Sequence, residues 1–229
     1  MHHTMYSKKI AIIVAGGTGQ RMGSVVPKQF LEIENKAILL HTIGQFVAAF
    51  SDIELVIVLP EIYIQDGKKL IENKFNNTIH FVVGGETRFH SVKNGLSKVT
   101  QQSIIFVHDA VRCLLTPALI QNCYQQAVNK GSAIPAVSAT DTIRLKEGEQ
   151  HRLINREQVM LIQTPQTFQS EILLKAFEQD YQSSFTDEAN VVEKVGFPVF
   201  LIEGEFENIK ITRPLDMAIA NFILSKRIS

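Results

Sequence analysis

Lys9 to Phe30 reads KIAIIVAGGTGQRMGSVVPKQF, an apolar run that ends in a glycine-rich turn and is followed by two separated basic residues. Ile10 to Val14 is short, β-branched and uninterrupted, the pattern of a strand covered on both faces in a parallel sheet. The strand is expected to end at Ala15. Gly16, Gly17 and Gly19 then permit positive φ and turn backbone N–H groups inward as an anion-binding nest, with no side chains where phosphate oxygens would sit. Two standard phosphate loops do not fit. A Walker A loop needs Gly-Lys-Ser/Thr, whereas Lys28 lies between Pro27 and Gln29; a dinucleotide fingerprint needs a third glycine where Met22 stands. Arg21 can grip two phosphate oxygens, and Lys28 supplies a compact point charge. Pro27 biases Val26 toward extended backbone, so Lys28 is presented from a stiff segment.

Composition bounds the rest. The chain has 229 residues, 45% of them hydrophobic, and 23 basic residues against 23 acidic ones. One globular domain spanning 1–229 fits, and a chain of this size buries roughly 70% of its unfolded surface. Balanced, dispersed charge argues against a nucleic-acid surface. No apolar run approaches the ~18 residues that cross a bilayer, and MHHTMYSKK lacks an apolar signal core, so a cytoplasmic protein without a membrane partner is expected. Cys113 and Cys123 form neither a disulfide framework nor a paired metal-ligand spacing. His2 and His3 read as a tail or cloning remnant rather than a metal site.

Along the chain, helical and apolar segments alternate. A helix is predicted over Ile38 to Phe50, a strand over Glu54 to Leu59, a helix over Ile62 to Phe75 and a strand over Ile79 to Val83. Strands over Ser103 to Val107 and Ala133 to Val137 flank a helix from Pro117 to Lys130 that Gly131 caps. This is an α/β pattern, a mostly parallel sheet flanked by helices, with ligands at the carboxyl ends of the strands. Two further strand ends carry chemistry there: Gly84-Gly85-Glu86-Thr87-Arg88 with Ser91 a turn later, and His108-Asp109-Ala110-Val111-Arg112. Thr140 to Arg156 has two alternating runs around Glu147-Gly148, a hairpin arm at about 138–158 too small to stand alone in water. Helices are predicted over Ile172 to Tyr181 and from a Thr186 cap to Gly196, a strand over Val199 to Ile202, and a last helix after Pro214.

The pattern A-x-G-x-G-x-R-M-x-x-x-x-P-K-Q, matched from Ala15 to Gln29 without insertion, resembles the nucleotide loop of cytidylyltransferases that activate sugar-alcohol phosphates, above all the 2-C-methyl-D-erythritol 4-phosphate cytidylyltransferase family. H-D-A-V-R, T-D-E-A from Thr186 to Ala189, and N-I-K-I-T-R-P from Asn208 extend the likeness. The resemblance implies a Rossmann-like three-layer nucleotidyltransferase fold with a protruding β-arm that interlocks two subunits. It assigns Ala15, Gly16, Gly17, Gly19, Gly85, Glu86, Ser91, Asp109 and Ala110 to the nucleotide. It places Asp109, Arg112, Thr142, Arg156 and Thr164 at the polyol phosphate, and Arg21, Lys28 and Lys210 at the reacting phosphates. The T-D-E-A segment is read as structural. Glu86 stands where an aspartate is common, and Cys113 where the family has proline.

The implied reaction is attack by a phosphate monoester on the α-phosphorus of CTP, with Mg²⁺ bound mainly by the phosphates' own oxygens. A monoester with a second pKa near ~6 is already mostly dianionic at neutral pH and needs no general base. The AGGTG spelling also resembles the cytidylyltransferase for ribitol 5-phosphate, while H-D-A-V-R and N-I-K-I-T-R-P favour methylerythritol phosphate. A non-catalytic nucleotide sensor is the reading of another class, and a nicotinamide oxidoreductase is disfavoured by Met22.

Overall fold

The computed structural model describes Tyr6, residues 8–16 and residues 26–228. Gly17, Gly19, Arg21, Met22 and the two N-terminal histidines lie outside the described residues.

The chain order is β1 (Lys8–Val14), β2 (Glu32–Ile33), β3 (Lys36–Ala37), α1 (Ile38–Ala49), β4 (Glu54–Leu59), α2 (Ile64–Ile71), β5 (Ile79–Val83) and α3 (Arg88–Leu96). It continues with β6 (Ser103–Asp109), α4 (Pro117–Lys130), β7 (Ser132–Ser138), β8 (Ile143–Glu147), β9 (Gln150–Ile154), β10 (Met160–Ile162) and β11 (Gln166–Gln169). It ends with α5 (Ser170–Ala176), α6 (Glu188–Lys194), β12 (Leu201–Glu203) and α7 (Pro214–Ile228).

The main sheet runs β10-β7-β11-β6-β1-β4-β5, with β12 added to β7. β4 and β6 pair parallel to β1, and β5 parallel to β4, whereas β11 is antiparallel to both neighbours. Period-2 alternation splits each central strand between two cores. Ala11 and Ile13 face α1 and α4, packing with Leu39, Ile43, Phe46 and Ile120. Ile10 and Ile12 face the opposite layer, with Phe89, Val92, Leu173 and Val192. The three-layer α/β expectation holds because both faces of β1 are buried, which is what its uninterrupted apolar run requires.

Several boundaries differ from the sequence reading. β6 runs through His108 and Asp109 rather than stopping at Val107, because these residues pair with Ile13 and Val14 of β1. α2 is shorter than Ile62 to Phe75, and its start is a 3₁₀ turn at Glu61–Tyr63. α5 occupies Ser170–Ala176, not Ile172 to Tyr181. Asp187, not Thr186, caps α6: its carboxylate accepts the Asn190 N–H at 2.9 Å. The strand near the C-terminus is Leu201–Glu203, not Val199 to Ile202, set by its parallel pairing with β7. β11 was missed altogether. Its QTFQ sequence carries two glutamines, yet Gln166 is buried, donating to Asp187 at 2.8 Å and accepting the Ala189 N–H at 2.8 Å. The predicted hairpin forms as β8 and β9, a separate two-stranded sheet turning at Gly148 with φ 65°.

α3 approaches the sheet at Gly95, where an added Cβ would sit 2.7 Å from Ile12 Cγ2 and 3.2 Å from Val58 Cγ2. Ile12 is fully buried and β-branched, so it cannot swing aside. Alanine raises helix propensity by about 1 kcal/mol over glycine, but overpacking costs about 1–3 kcal/mol. Gly95→Ala is therefore expected to lower the denaturant midpoint; an unchanged or raised midpoint would show that the two layers have slack here.

Candidate active site

Strands β6, β1 and β5, the last separated from β1 by β4, release their loops at one level of the sheet. The Ala15 N–H donates to Val58 O at 2.9 Å, the Ala110 N–H to Val14 O at 3.0 Å, and the Gly84 N–H to Leu59 O at 2.8 Å. The crevice at these carboxyl ends is where an open parallel sheet binds ligands.

On one side the glycines approach Ser91. An added Cβ would lie 3.1 Å from Ser91 Oγ at Gly84 and 3.8 Å at Gly16. Ser91 is buried, and its hydroxyl accepts the Gly85 N–H at 3.1 Å and faces the Gly85 carbonyl at 3.4 Å. It thus shapes the Gly85 turn, while Gly85 and Glu86 are exposed at the rim. Gln29, 1% exposed, donates from its side-chain amide to Ala15 O at 2.8 Å, tying the end of β1 to the turn after Pro27. Beside it, Lys28 sits in a 3₁₀ turn after extended Pro27, buried, with Nζ donating to Thr212 O at 2.9 Å.

The centre is Asp109, buried at the end of β6. Arg88 Nε lies 3.2 Å from Oδ1; Lys210 Nζ lies 2.8 Å and Arg112 Nε 3.9 Å from Oδ2. Burial alone would raise the Asp109 pKa, but Arg88, then Lys210 and Arg112 outweigh it and hold the carboxyl well below its usual range. Arg88 also pairs with Glu188, the first residue of α6. Arg112 donates from Nη1 to Asn208 O at 2.8 Å, while its buried Nε has no hydrogen-bond partner. That Nε faces Asp109 Oδ2 at 3.9 Å, beyond hydrogen-bond reach.

Thr164 and His108 fix the backbone beneath this cluster. His108 is fully buried, and burial pushes its pKa down to about 3, so the imidazole is neutral. Its Nε2 lies 3.1 Å from Arg112 O, a group that only accepts, so Nε2 carries the proton. Nδ1 is then an acceptor, and the Thr164 hydroxyl donates to it at 2.9 Å while accepting the Asp109 N–H at 3.2 Å. The single hydroxyl proton of Thr164 is committed to His108. Thr164 therefore lies beside Asp109, with its hydroxyl occupied by the strand end.

The arm residues stand apart. Thr142 and Arg156 are exposed, and Arg156 donates to Thr140 O at 2.8 Å. Among the described residues, no hydrogen bond or ion pair joins either one to Asp109, Arg112 or Thr164. Sequence reasoning placed Arg88 and His108 in the strand-end segments without giving them a role, and read Glu188 only as part of a helix start. Arg88 and Glu188 are 100 positions apart, and only an acid and a base each opening a helix at a glycine-rich or T-D-E turn marked them.

A family model described as 2-C-methyl-D-erythritol 4-phosphate cytidylyltransferase matches residues 9–226. The chain belongs to this family. A Bacteroides thetaiotaomicron protein of that name is 43% identical over 218 residues, spanning 95% of this chain and 100% of the relative. Among solved structures, the 4-diphosphocytidyl-2C-methyl-D-erythritol synthase of Anaerococcus prevotii superposes with TM-score 0.82 at 26% identity, covering 95% of this chain and 98% of that one. The Francisella tularensis 2-C-methyl-D-erythritol 4-phosphate cytidylyltransferase gives TM-score 0.78 at 30% identity, covering 95% and 100%.

The neutral His108 makes a pH signature. Its folded pKa of about 3 lies below its ordinary 6.5, so the unfolded chain binds the extra proton and this contribution to stability is complete above pH 6.5. It is lost as pH falls toward 3, at up to about 1.4 kcal/mol per pH unit. His108→Gln should be less stable than wild type at pH 7, with the difference in unfolding free energy shrinking between pH 6.5 and 4. A difference constant across that range would mean the histidine is not held neutral.

Proposed function

We infer that this chain transfers CMP from CTP to 2-C-methyl-D-erythritol 4-phosphate, releasing pyrophosphate and forming 4-diphosphocytidyl-2-C-methyl-D-erythritol, a step of non-mevalonate isoprenoid precursor synthesis. The observation that carries the reading is Asp109 at the end of β6 with Lys210 and Arg112 on one carboxylate oxygen, in a chain matched end to end by the family.

In the proposed reaction a 4-phosphate oxygen attacks the α-phosphorus, the new P–O bond forms as the α–β bridge breaks, and pyrophosphate departs with the electron pair. No side chain need remove a proton, because the nucleophile is already anionic. Rate enhancement then comes from alignment and from cations set before the substrate arrives. Lys28 and Lys210, with Arg21 of the phosphate loop, are assigned to the triphosphate; Arg112 is assigned to the acceptor's phosphate and Asp109 to its hydroxyls. The Gly85–Ser91 turn is assigned to the cytosine ring, with Glu86 at its edge.

Mg²⁺ is proposed to enter with the triphosphate. Among the described residues no group of three or more His, Cys, Asp or Glu side chains can hold a metal, and Asp109 is already surrounded by cations. These residues do not build a metal site of their own, so the ion's ligands would be phosphate oxygens and water. No helix among the described residues is long and apolar enough to cross a membrane, in keeping with a cytoplasmic enzyme.

Pyrophosphate release from CTP with methylerythritol phosphate tests the reading directly. Turnover should greatly exceed that with ribitol 5-phosphate; the reverse order would move the chain to the ribitol relative, and CTP binding without release to either acceptor would mark a sensor.

A homodimer through the arm is supported by exposed Leu145 and Leu153 on the hairpin and exposed Met160, Leu161 and Ile162 on the adjoining edge strand. A two-stranded hairpin is marginal alone, and an apolar edge strand invites pairing. If each arm completes the neighbour's crevice, Arg156 serves a site whose Lys28 belongs to the other chain. Lys28→Ala and Arg156→Ala should each be nearly inactive, yet mixing and re-dimerising them places both lesions in one site and leaves the other intact. Recovery toward half of wild-type activity per heterodimer is expected; no recovery despite verified subunit exchange would put both residues in one chain's site.

A further inference from the structure

Arg88 joins two carboxylates that nothing in the reaction brings together. Its Nε faces Asp109 Oδ1 at 3.2 Å and its Nη1 donates to Glu188, a side chain only 2% exposed whose Oε2 has no hydrogen-bond partner. Burying a carboxylate with one partner is costly, and apolar residues of the same volume often serve stability as well or better. A planar guanidinium differs from an ammonium in fixing two acceptor directions at once. Anchored by Glu188 on one edge, Arg88 sets the rotation of the Asp109 carboxylate, so that Oδ2 is the oxygen turned to Lys210 and Arg112. Among these five groups the formal charge is three positive against two negative, so the cluster retains attraction for an anion even though its aspartate is ionised.

We propose that Arg88 and Glu188 are positioning residues that act through Asp109, fixing its carboxylate for the hydroxyls of the polyol phosphate, with a larger effect on the acceptor than on the nucleotide. The inference rests on the reading of Asp109 given above. Arg88 touches neither reacting phosphate nor sugar in this scheme.

The decisive variant is Arg88→Met/Glu188→Leu, which removes the guanidinium together with the buried Glu188 carboxylate that pairs with it; Asp109 loses its Oδ1 partner but keeps Lys210 and Arg112 at Oδ2, so the variant should still fold, with a melting temperature near that of wild type. Its KM for methylerythritol phosphate should rise about tenfold or more, while its KM for CTP stays within about threefold; losses of this size are ordinary for coupled neighbours. Arg88→Lys, which keeps the charge and loses the fixed directions, should shift the same constant in the same sense. In an Asp109→Asn background the double replacement should change the acceptor's KM by less than about twofold, because its route of action is gone. If Asp109→Asn leaves too little turnover, calorimetric binding of methylerythritol phosphate to the enzyme loaded with a non-hydrolysable CTP analogue gives the same cycle.

Wild-type acceptor kinetics in the stable double variant, or a full multiplicative loss on top of Asp109→Asn, overturns the proposal and leaves the pair a structural ion pair. A fall in CTP affinity equal to that for the acceptor overturns it as well. Wild type that releases no pyrophosphate with methylerythritol phosphate instead overturns the functional reading, which separates the two failures.

Discussion

The constraint on which the site depends is a single ionised carboxylate taken out of water. Asp109 is 7% exposed, and a lone carboxylate so buried would protonate rather than stay charged. Three cations prevent that, and each reaches it from a different part of the chain: Arg88 from the start of α3, Arg112 from the turn after β6, Lys210 from the segment before α7. The carboxylate thereby fixes where three otherwise mobile side chains converge. It also pre-assembles positive charge at the strand ends without leaving it uncompensated, which is the condition for electrostatic stabilisation that requires little reorganisation when charge arrives.

The C-terminal segment supplies the second half of that arrangement through its backbone. Asn208 O holds Arg112 at 2.8 Å, and Thr212 O holds Lys28 at 2.9 Å. The segment itself is pinned: the Ile211 N–H donates to Val111 O at 3.0 Å, Ile211 is buried with Leu114 and Leu224, and Asp216 accepts the Thr212 and Arg213 N–H groups at 2.7 Å each. Asp216 is the third residue of α7, so its carboxylate closes the helix start as a capping residue does. Burial would raise its pKa, but the Thr212 and Arg213 donors outweigh that and keep it low. A helix cap more than a hundred positions from Lys28 therefore sets the height of that cation above the sheet.

How much of this was legible in the sequence depended on whether the signal was local. β1, β4 and β7 were readable because a strand buried on both faces must be largely apolar, and the edge strand β5 because its run IHFVV is rich in β-branched and aromatic residues. β11 was not, since the two glutamines of QTFQ are satisfied by Asp187 and Ala189, partners that only the folded chain supplies. The charged strand end H-D-A-V-R marked the site, yet the two charges at the end of β6 read as a termination when the ladder continues through Asp109. The resemblance assigns Thr164 to the polyol phosphate; what its hydroxyl does in the fold, between the Asp109 N–H and His108, follows from hydrogen-bond bookkeeping that no spacing encodes. Glu188 was read as part of a helix start, which it is; that it also reaches Arg88 depends on how α6 packs over α3.

The members of the Asp109 cluster differ in their access to solvent. Lys210 and Asp109 are 2.8 Å apart, with the lysine partly open to solvent and the aspartate not. An arriving phosphate can therefore draw the exposed partner away while Arg88 keeps the buried one charged and in place. Exchanging one anion for another around the same ammonium costs far less desolvation than bringing a bare cation and a bare anion together. If Lys210 serves the triphosphate as proposed, it is the half-exposed lysine that can exchange partners while the less exposed members keep their places. The order follows exposure: the Lys210 side chain is 41% exposed, against 28% for Arg88, 14% for Arg112 and 11% for Asp109.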